Sequence, residues 1–212
     1  MRFEPHLVFR AEGFSKQGPR HPNEDGFFIH HLDDGVVVMV ADGASGGGGG
    51  EASQVALHCA LQALSGTSLD PKVILRRCNL ELIHGAHRPV AAVLAVFRGK
   101  QMRVALAGDC ECLVRRAGSQ ISVAETTSKA ARRFLGEPKV EIDAESFELM
   151  DGDLVLLLSD GAMTSHQGRL VLEPGIPTML PNVDLDYDDD ATVVFVQSER
   201  KNWRRRHEGA TT

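Results

Sequence analysis

Three short apolar runs set the pattern of the chain: Val36–Ala41 (VVVMVA), Leu154–Leu158 (LVLLL) and Thr192–Val196 (TVVFV). Each is too short for a helix, is rich in β-branched residues or leucine, and is flanked by Gly or Asp. Runs of this kind predict buried central strands. Phe27–His31, Ala91–Phe97, Met102–Ala107 and Cys112–Arg116 read as further strands. Tight turns such as Arg98–Gly99–Lys100 join several of them, which predicts hairpins and antiparallel pairing.

Two segments carry helical periodicity instead. Glu51–Leu64 places Ala52, Val55, Ala56, Cys59, Ala60 and Ala63 on one face at i, i+3, i+4, i+7 spacing. The second helix opens with Asp70 as cap and Pro71 at its first position, turns Ile74, Leu75, Cys78 and Leu82 inward, and stops at Gly85. Strands, a helical pair and strands again do not make a β-α-β alternation. They predict an α+β chain in which sheets carry helices on their outer faces. The strand pattern returns after Pro138, while Gly168, Pro174, Gly175, Pro177 and Pro181 exclude long helices between residues 161 and 190. Residues 1–197 are expected to form one domain. Residues 198–212, with Arg200, Lys201, Arg204, Arg205 and Arg206, are expected to be a solvated basic tail.

Composition narrows the classes of function. With 212 residues, 42% of them hydrophobic, the chain can bury a full core without a disulfide or metal staple. Its 29 acidic residues exceed its 23 basic ones, a net charge of −6, which argues against nucleic-acid binding. Cys59, Cys78, Cys110 and Cys112 form no C-x-x-C pair and are expected to be reduced and buried. The opening MRFEPHLVFR lacks the apolar run of a secretory signal, and no segment approaches the roughly 18 apolar residues of a membrane span. A cytoplasmic location without a membrane partner is the expectation.

The chemistry is in where the acidic residues fall. Asp42 ends the Val36–Ala41 strand, Asp160 follows Leu154–Ser159, Asp188–Asp190 precede Ala191–Val196, and Glu24 and Asp25 precede Phe27. Four core strands thus deliver carboxylates to their tips. Converging carboxylates away from water need a counter-charge, and Mg²⁺ or Mn²⁺, which prefer carboxylate and water oxygens, supply one. A glycine follows both Asp42 and Asp160, which lets backbone approach an ion closely. Any one Asp-Gly pair also makes an ordinary turn; it is the repetition at core strand ends that favours metal.

These residues carry a family resemblance. Arg20-His-Pro-Asn-Glu24-Asp25 resembles the R-x-x-N-E-D opening of PP2C-type (PPM) protein phosphatases. Val40-Ala-Asp42-Gly43, a glycine-rich stretch and Gly50-Glu51-Ala-Ser53 resemble their A-D-G-x-G-G…G-E-x-(x)-S segment. Ala107-Gly-Asp109 is similar to their G-D-S-R turn, Leu158-Ser-Asp160-Gly161 to S-D-G, and Asp189-Asp-Ala-Thr192-Val-Val to the closing D-N-x-T-V-V. The five motifs keep their order from residue 20 to 197.

The resemblance implies a four-layer α-β-β-α sandwich with a metal site at one edge between two antiparallel sheets. It implies Mn²⁺ or Mg²⁺, two ions bridged by Asp42, with the Gly43 carbonyl as a further ligand. Asp160 and Asp189 would complete one ion, Glu24 and Asp25 would serve the other, and Asp109 could help hold a third. Asp189 is chosen within Asp188–Asp190 because it lies three residues before Thr192. Arg20 would clamp the substrate phosphate, a role suited to its planar fork of donors. The implied activity is hydrolysis of phosphoserine and phosphothreonine in proteins by metal-activated water, opposing a Ser/Thr kinase.

Departures bear on substrate choice more than on metal. Cys110-Glu111 replaces S-R in the G-D-S-R turn, and Ala91–Ala95 stands where relatives have G-T-T. No histidine adjoins Asp42–Gly43, which leaves His21 beside Arg20 as a candidate proton donor or a solvent-facing loop residue. The segments flanking Asp160 look trimmed. Two other readings stand beside this one: a non-catalytic phosphoprotein-binding scaffold, and a serine hydrolase using Ser45 in Gly43-Ala-Ser45-Gly-Gly47. The second meets five glycines between Ser45 and Glu51 where a nucleophile elbow turns sharply into its helix. A nucleotide-binding P-loop at Gly46–Gly50 is excluded, because Glu51-Ala52 follows in place of Lys-Ser/Thr.

Overall fold

A computed structural model describes residues 7–66, 68–116, 119–124, 133–164 and 189–200. Its strands are β1 (Leu7–Lys16), β2 (Asp25–Leu32), β3 (Gly35–Gly43), β4 (Val90–Arg98), β5 (Gln101–Ala107), β6 (Glu111–Arg116), β7 (Ser119–Ala124), β8 (Asp143–Glu148), β9 (Leu154–Leu158) and β10 (Ala191–Arg200). The helices are α1 (Gly49–Ala63), α2 (Pro71–His84) and α3 (Asp160–Thr164). Two five-stranded sheets result, in the orders β2-β3-β4-β5-β8 and β1-β10-β9-β6-β7. Every pairing is antiparallel, and the α+β sandwich class expected from sequence is the one observed.

Val36–Ala41 of β3 and Val90–Phe97 of β4 are apolar at every position because these strands have two buried faces. Val36, Val38 and Val40 of β3 and Val93, Ala95 and Phe97 of β4 point between the sheets, where they meet Val155, Leu157, Val194 and Val196. Val37, Met39, Ala41, Ala92 and Leu94 point the other way, onto α1 and α2. That alternation is the period-2 pleat. α1 meets the sheet through small residues, Ala52, Ala56, Ala60 and Ala63, all buried. α2 begins where its cap predicted: Asp70 accepts from the Lys72 and Val73 amides at 2.9 and 3.2 Å, ahead of Pro71.

On the outer face of the second sheet, Leu156, Leu158, Val193 and Phe195 cluster with Ala162 of α3. α3 is the one helix on that face among the described residues; the segment expected to lack long helices falls mostly at 165–188, outside them. Two elements depart from the sequence expectation. β1 was not foreseen, since its pattern is mixed and half-buried; it pairs along its whole length with β10. β10 also runs to Arg200, so Ser198, Glu199 and Arg200, expected to open the tail, are ladder residues opposite Leu7–Phe9. The remainder of that tail, 201–212, lies outside the described residues.

Phe97 is fully buried between the sheets and tilts against Phe9 with ring centroids 5.5 Å apart. Phe97→Ala should lower unfolding free energy by about 3–5 kcal/mol in urea denaturation; a loss under about 1 kcal/mol would contradict this core assignment.

Candidate metal centre

The antiparallel register brings strand ends from both sheets to one edge. On β2 and β3, Asp25 and Asp42 are direct cross-strand partners. Asp109 follows the end of β5, Asp160 follows the end of β9 and opens α3, and Asp189 and Asp190 precede β10. Two glycines are required by close backbone approach. A side chain at Gly43 would collide with the Gly49 carbonyl at the start of α1, and one at Gly161 with the Asp190 carbonyl. Between Gly43 and α1, Gly46, Gly47 and Gly48 all adopt left-handed φ angles of 108°, 94° and 88°, which explains the glycine run.

Carboxylate oxygens of Asp42, Asp109 and Asp160 lie within 4.8 Å of one another. Asp25 faces Asp42 from the neighbouring strand, and the two shift each other's titration. Burial raises the Asp42 pKa, and the charges of Asp25, Asp160 and Asp109 push it further up. Burial likewise raises Asp25 and Asp160.

Glu24 is buried on the other flank. Its Oε1 accepts from the Gly49 amide at 3.1 Å, at the N-terminus of α1, where the helix dipole favours negative charge. Its Oε2 is buried with no hydrogen-bond partner among the described residues. A buried carboxylate oxygen without a hydrogen bond and a cluster of aspartates raised by burial and mutual charge are donors that a hard divalent cation fits.

His21 reaches the same flank. Its Nδ1 is 3.5 Å from Glu24 Oε2 and 3.6 Å from Asp190 Oδ2, and its Nε2 is 3.8 Å from Asp189 Oδ1. His21, Asp189 and Asp190 form a second group of potential ligands. A hydrogen bond to the Pro22 carbonyl raises the His21 pKa, with Asp190, Glu24 and Asp189 adding to the effect. Arg20 is exposed on the same loop and makes no ion pair among the described residues. Asp189 stands close enough to raise the Asp160 pKa. Asp188 lies outside the described residues. Asp109, expected only as an aid to a third ion, stands directly with Asp42 and Asp160. Ser45 is exposed in the glycine loop, where its carbonyl accepts from Arg88 at 2.7 Å.

Sequence reasoning assigned no role to the polar residues that carry this site. Ser159 donates to Asp25 Oδ2 at 2.8 Å and accepts from the Thr192 amide at 2.9 Å. Thr192 donates to Ser15 at 2.7 Å, Asn23 donates to Ser15 at 2.8 Å, and the Asp25 amide donates back to Asn23 at 3.0 Å. This closed ring ties one sheet to the other. Asp190, 4% exposed, accepts from the Gly18 and Glu24 amides, both at 2.7 Å, and pins the loop that carries Arg20 and His21. The signal was present: Asn23, Ser159 and Thr192 are the polar letters of the quoted motifs.

Residues 32–174 match the family model described as Stage II sporulation protein E (SpoIIE). The chain belongs to the SpoIIE family. That places it with the PP2C-type phosphatases, as its five motifs implied. The family match includes Asp42, Asp109 and Asp160, while Arg20, Glu24, Asp25 and Asp189 fall beyond its limits. Among solved structures, this SpoIIE-family chain is similar to a bacterial serine phosphatase carrying an arginine-to-alanine substitution, at TM-score 0.76 and 20% identity over 92% of this chain and 99% of that one. It is similar to RsbX in complex with magnesium, at TM-score 0.69 and 18% identity over 93% and 98%. It is similar to the S. agalactiae serine/threonine phosphatase, at TM-score 0.75 and 16% identity over 89% and 99%. At these identities the three likenesses speak for the fold. No curated protein matches the sequence. No helix among the described residues is long and apolar enough to cross a membrane.

The raised carboxyl pKa values fix a sign. The folded, metal-free chain holds protons that the unfolded chain releases. The contribution of these groups is therefore fully present below the ordinary carboxylate value of 3.8 and is lost as pH rises towards their raised folded values. In EDTA the melting temperature of the wild type should fall between about pH 6 and about pH 9, more steeply than that of Asp42→Asn. At the upper end Asp42→Asn should be the more stable by about 1–2 kcal/mol. Asp190→Ala should instead cost about 1–3 kcal/mol, having stranded two buried amides. Parallel pH profiles for wild type and Asp42→Asn would contradict the clustering.

Proposed function

We propose that this chain is a protein phosphatase that hydrolyses phosphoserine and phosphothreonine at a binuclear Mn²⁺ or Mg²⁺ centre. The observation that carries the proposal is the meeting of Asp42, Asp109 and Asp160, together with a buried Glu24 oxygen that makes no hydrogen bond. Membership of a PP2C-type family supports the reaction class.

Asp42 would be shared by two ions, joined by the Gly43 carbonyl, Asp160 and Asp189 on one side and by Glu24 and Asp25 on the other. Asp109 would add to the Asp42–Asp160 side and could take a third ion. When bound, such a pair of ions lowers the pKa of a water between them and supplies hydroxide at neutral pH. The chain's own groups do the rest. Arg20, exposed at the rim, offers two parallel N–H donors to the substrate phosphate and neutralises charge on its oxygens. Asp190 fixes the loop from which Arg20 reaches. The ring through Ser159, Thr192, Ser15 and Asn23 holds Asp25, the cross-strand partner of Asp42, so little reorganisation would accompany the reaction. His21, with Nε2 3.8 Å from Asp189 Oδ1, would give a proton to the leaving serine or threonine oxygen.

The substrate is then a phosphoprotein, the opposing enzyme a Ser/Thr kinase, and the catalytic unit the sandwich through Arg200 at the end of β10, in a cytoplasmic setting. p-Nitrophenyl phosphate with Mn²⁺ tests the chemistry, since its good leaving group needs no acid. Hydrolysis should vanish in EDTA and fall about a hundredfold or more in Asp42→Ala. Arg20→Ala should raise KM by about 10–100-fold, the worth of a charge-assisted hydrogen bond. Mn²⁺ binding without hydrolysis of this ester or of phosphothreonine peptides would move the chain to the scaffold reading, which the Cys110-Glu111 replacement favours.

A further inference from the structure

Away from the carboxylates, the seam between α1 and α2 holds two cysteines. Cys59 projects from α1 and Cys78 from α2, and both are in the helix-facing core. The Cys78 Sγ lies 3.4 Å from the Ala56 carbonyl, one turn before Cys59 on α1. Cys59 and Cys78 share this seam, and each shifts the titration of the other. Their surroundings differ. Cys59, 5% exposed, lines a cleft of about 380 Å³ together with Gln54, Val55, His58, Arg77 and His87. Cys78, wholly buried, sits behind it and does not reach the cleft.

We propose that Cys59 and Cys78 form a peroxide-sensitive dithiol, in which Cys59 is oxidised at the cleft and Cys78 closes a disulfide between α1 and α2. The interaction with Cys78 lowers the Cys59 thiol to about 7 and, with the Arg77 charge, outweighs the opposing effects of burial and of Glu81. The same interaction, together with burial, raises Cys78, keeping it a thiol until its partner has reacted. Cys110 and Cys112 are fully buried and shifted upward by that burial, which leaves them inert by comparison.

The steps balance. The Cys59 thiolate attacks one oxygen of a hydroperoxide, the O–O bond breaks, and the departing oxygen leaves as water or an alcohol after taking a proton. Cys59 is then a sulfenic acid, its sulfur having given up two electrons. The Cys78 sulfur attacks the Cys59 sulfur, and the sulfenic oxygen leaves as water with the Cys78 proton. Two thiols and one peroxide give one disulfide and two waters when the oxidant is hydrogen peroxide. Adjacent reduced cysteines also occur as plain core residues. What sets this pair apart is that the lower-pKa thiol is also the one at a solvent cleft. The inference stands independently of the phosphatase reading.

Treatment of the full chain with equimolar hydrogen peroxide, then alkylation and peptide mass mapping without reductant, tests it. The expected product is a Cys59–Cys78 linked peptide pair, two hydrogens lighter and reversed by dithiothreitol. Cys59 should be lost at least about tenfold faster than Cys110 or Cys112. Cys78→Ser should leave a dimedone-trappable sulfenic acid on Cys59, and Cys59→Ser should leave Cys78 unoxidised. Melting curves in reducing buffer establish that each variant is folded, and the wild-type mapping needs no variant. Equal loss of all four thiols, oxidation of Cys78 in Cys59→Ser, or absence of the linked pair from oxidised wild type would overturn the proposal.

Discussion

Mutual repulsion among carboxylates held at one edge of a two-sheet sandwich is the constraint around which this chain is arranged. Asp25 and Asp42 face each other across neighbouring strands, and Asp109 and Asp160 close on Asp42 from two other strand ends. In a partly buried setting such charges cannot coexist without protons or a cation. Everything near them supplies one or the other. The α1 N-terminus faces Glu24, the Ser159 hydroxyl donates to Asp25, and His21 stands 3.5 Å from the Glu24 oxygen that makes no hydrogen bond. The stability forgone there is recovered from a core whose central strands are buried on both faces.

The sandwich is what lets residues so distant in sequence meet. β2 and β3 belong to one sheet, and β9 and β10 to the other. The Ser159–Asp25 hydrogen bond crosses between sheets over 134 residues of chain. A slip of one residue in the β2–β3 register would turn Asp42 towards the opposite face. The apolar faces of Val36, Val38 and Val40 against Val155 and Leu157 thus set the position of the acidic tips as well as the packing.

Much of this was legible in the sequence. Val36–Ala41 and Leu154–Leu158 announced strands buried on both faces, and Asp70-Pro71 announced the start of α2. The Asp-Gly pairs marked strand ends where backbone comes close to backbone. β1 was not legible, because an edge strand with mixed exposure carries no strong alternation. The ring of Ser15, Asn23, Ser159 and Thr192 was also hidden: single polar letters do not reveal that they contact one another until the sheets are stacked. Asp190 looked like one of three interchangeable aspartates, and its two backbone partners make it a brace for the loop before β2. The Cys59–Cys78 contact needed the α1–α2 crossing, which helical periodicity alone does not specify.

The most direct measurement is a calorimetric Mn²⁺ titration of the metal-free protein in two buffers of different ionisation enthalpy. The account predicts saturable binding of about two ions per chain with release of protons, because the aspartates that receive the ions hold protons in their absence. Binding that releases no protons, or no saturable binding at all, would contradict it.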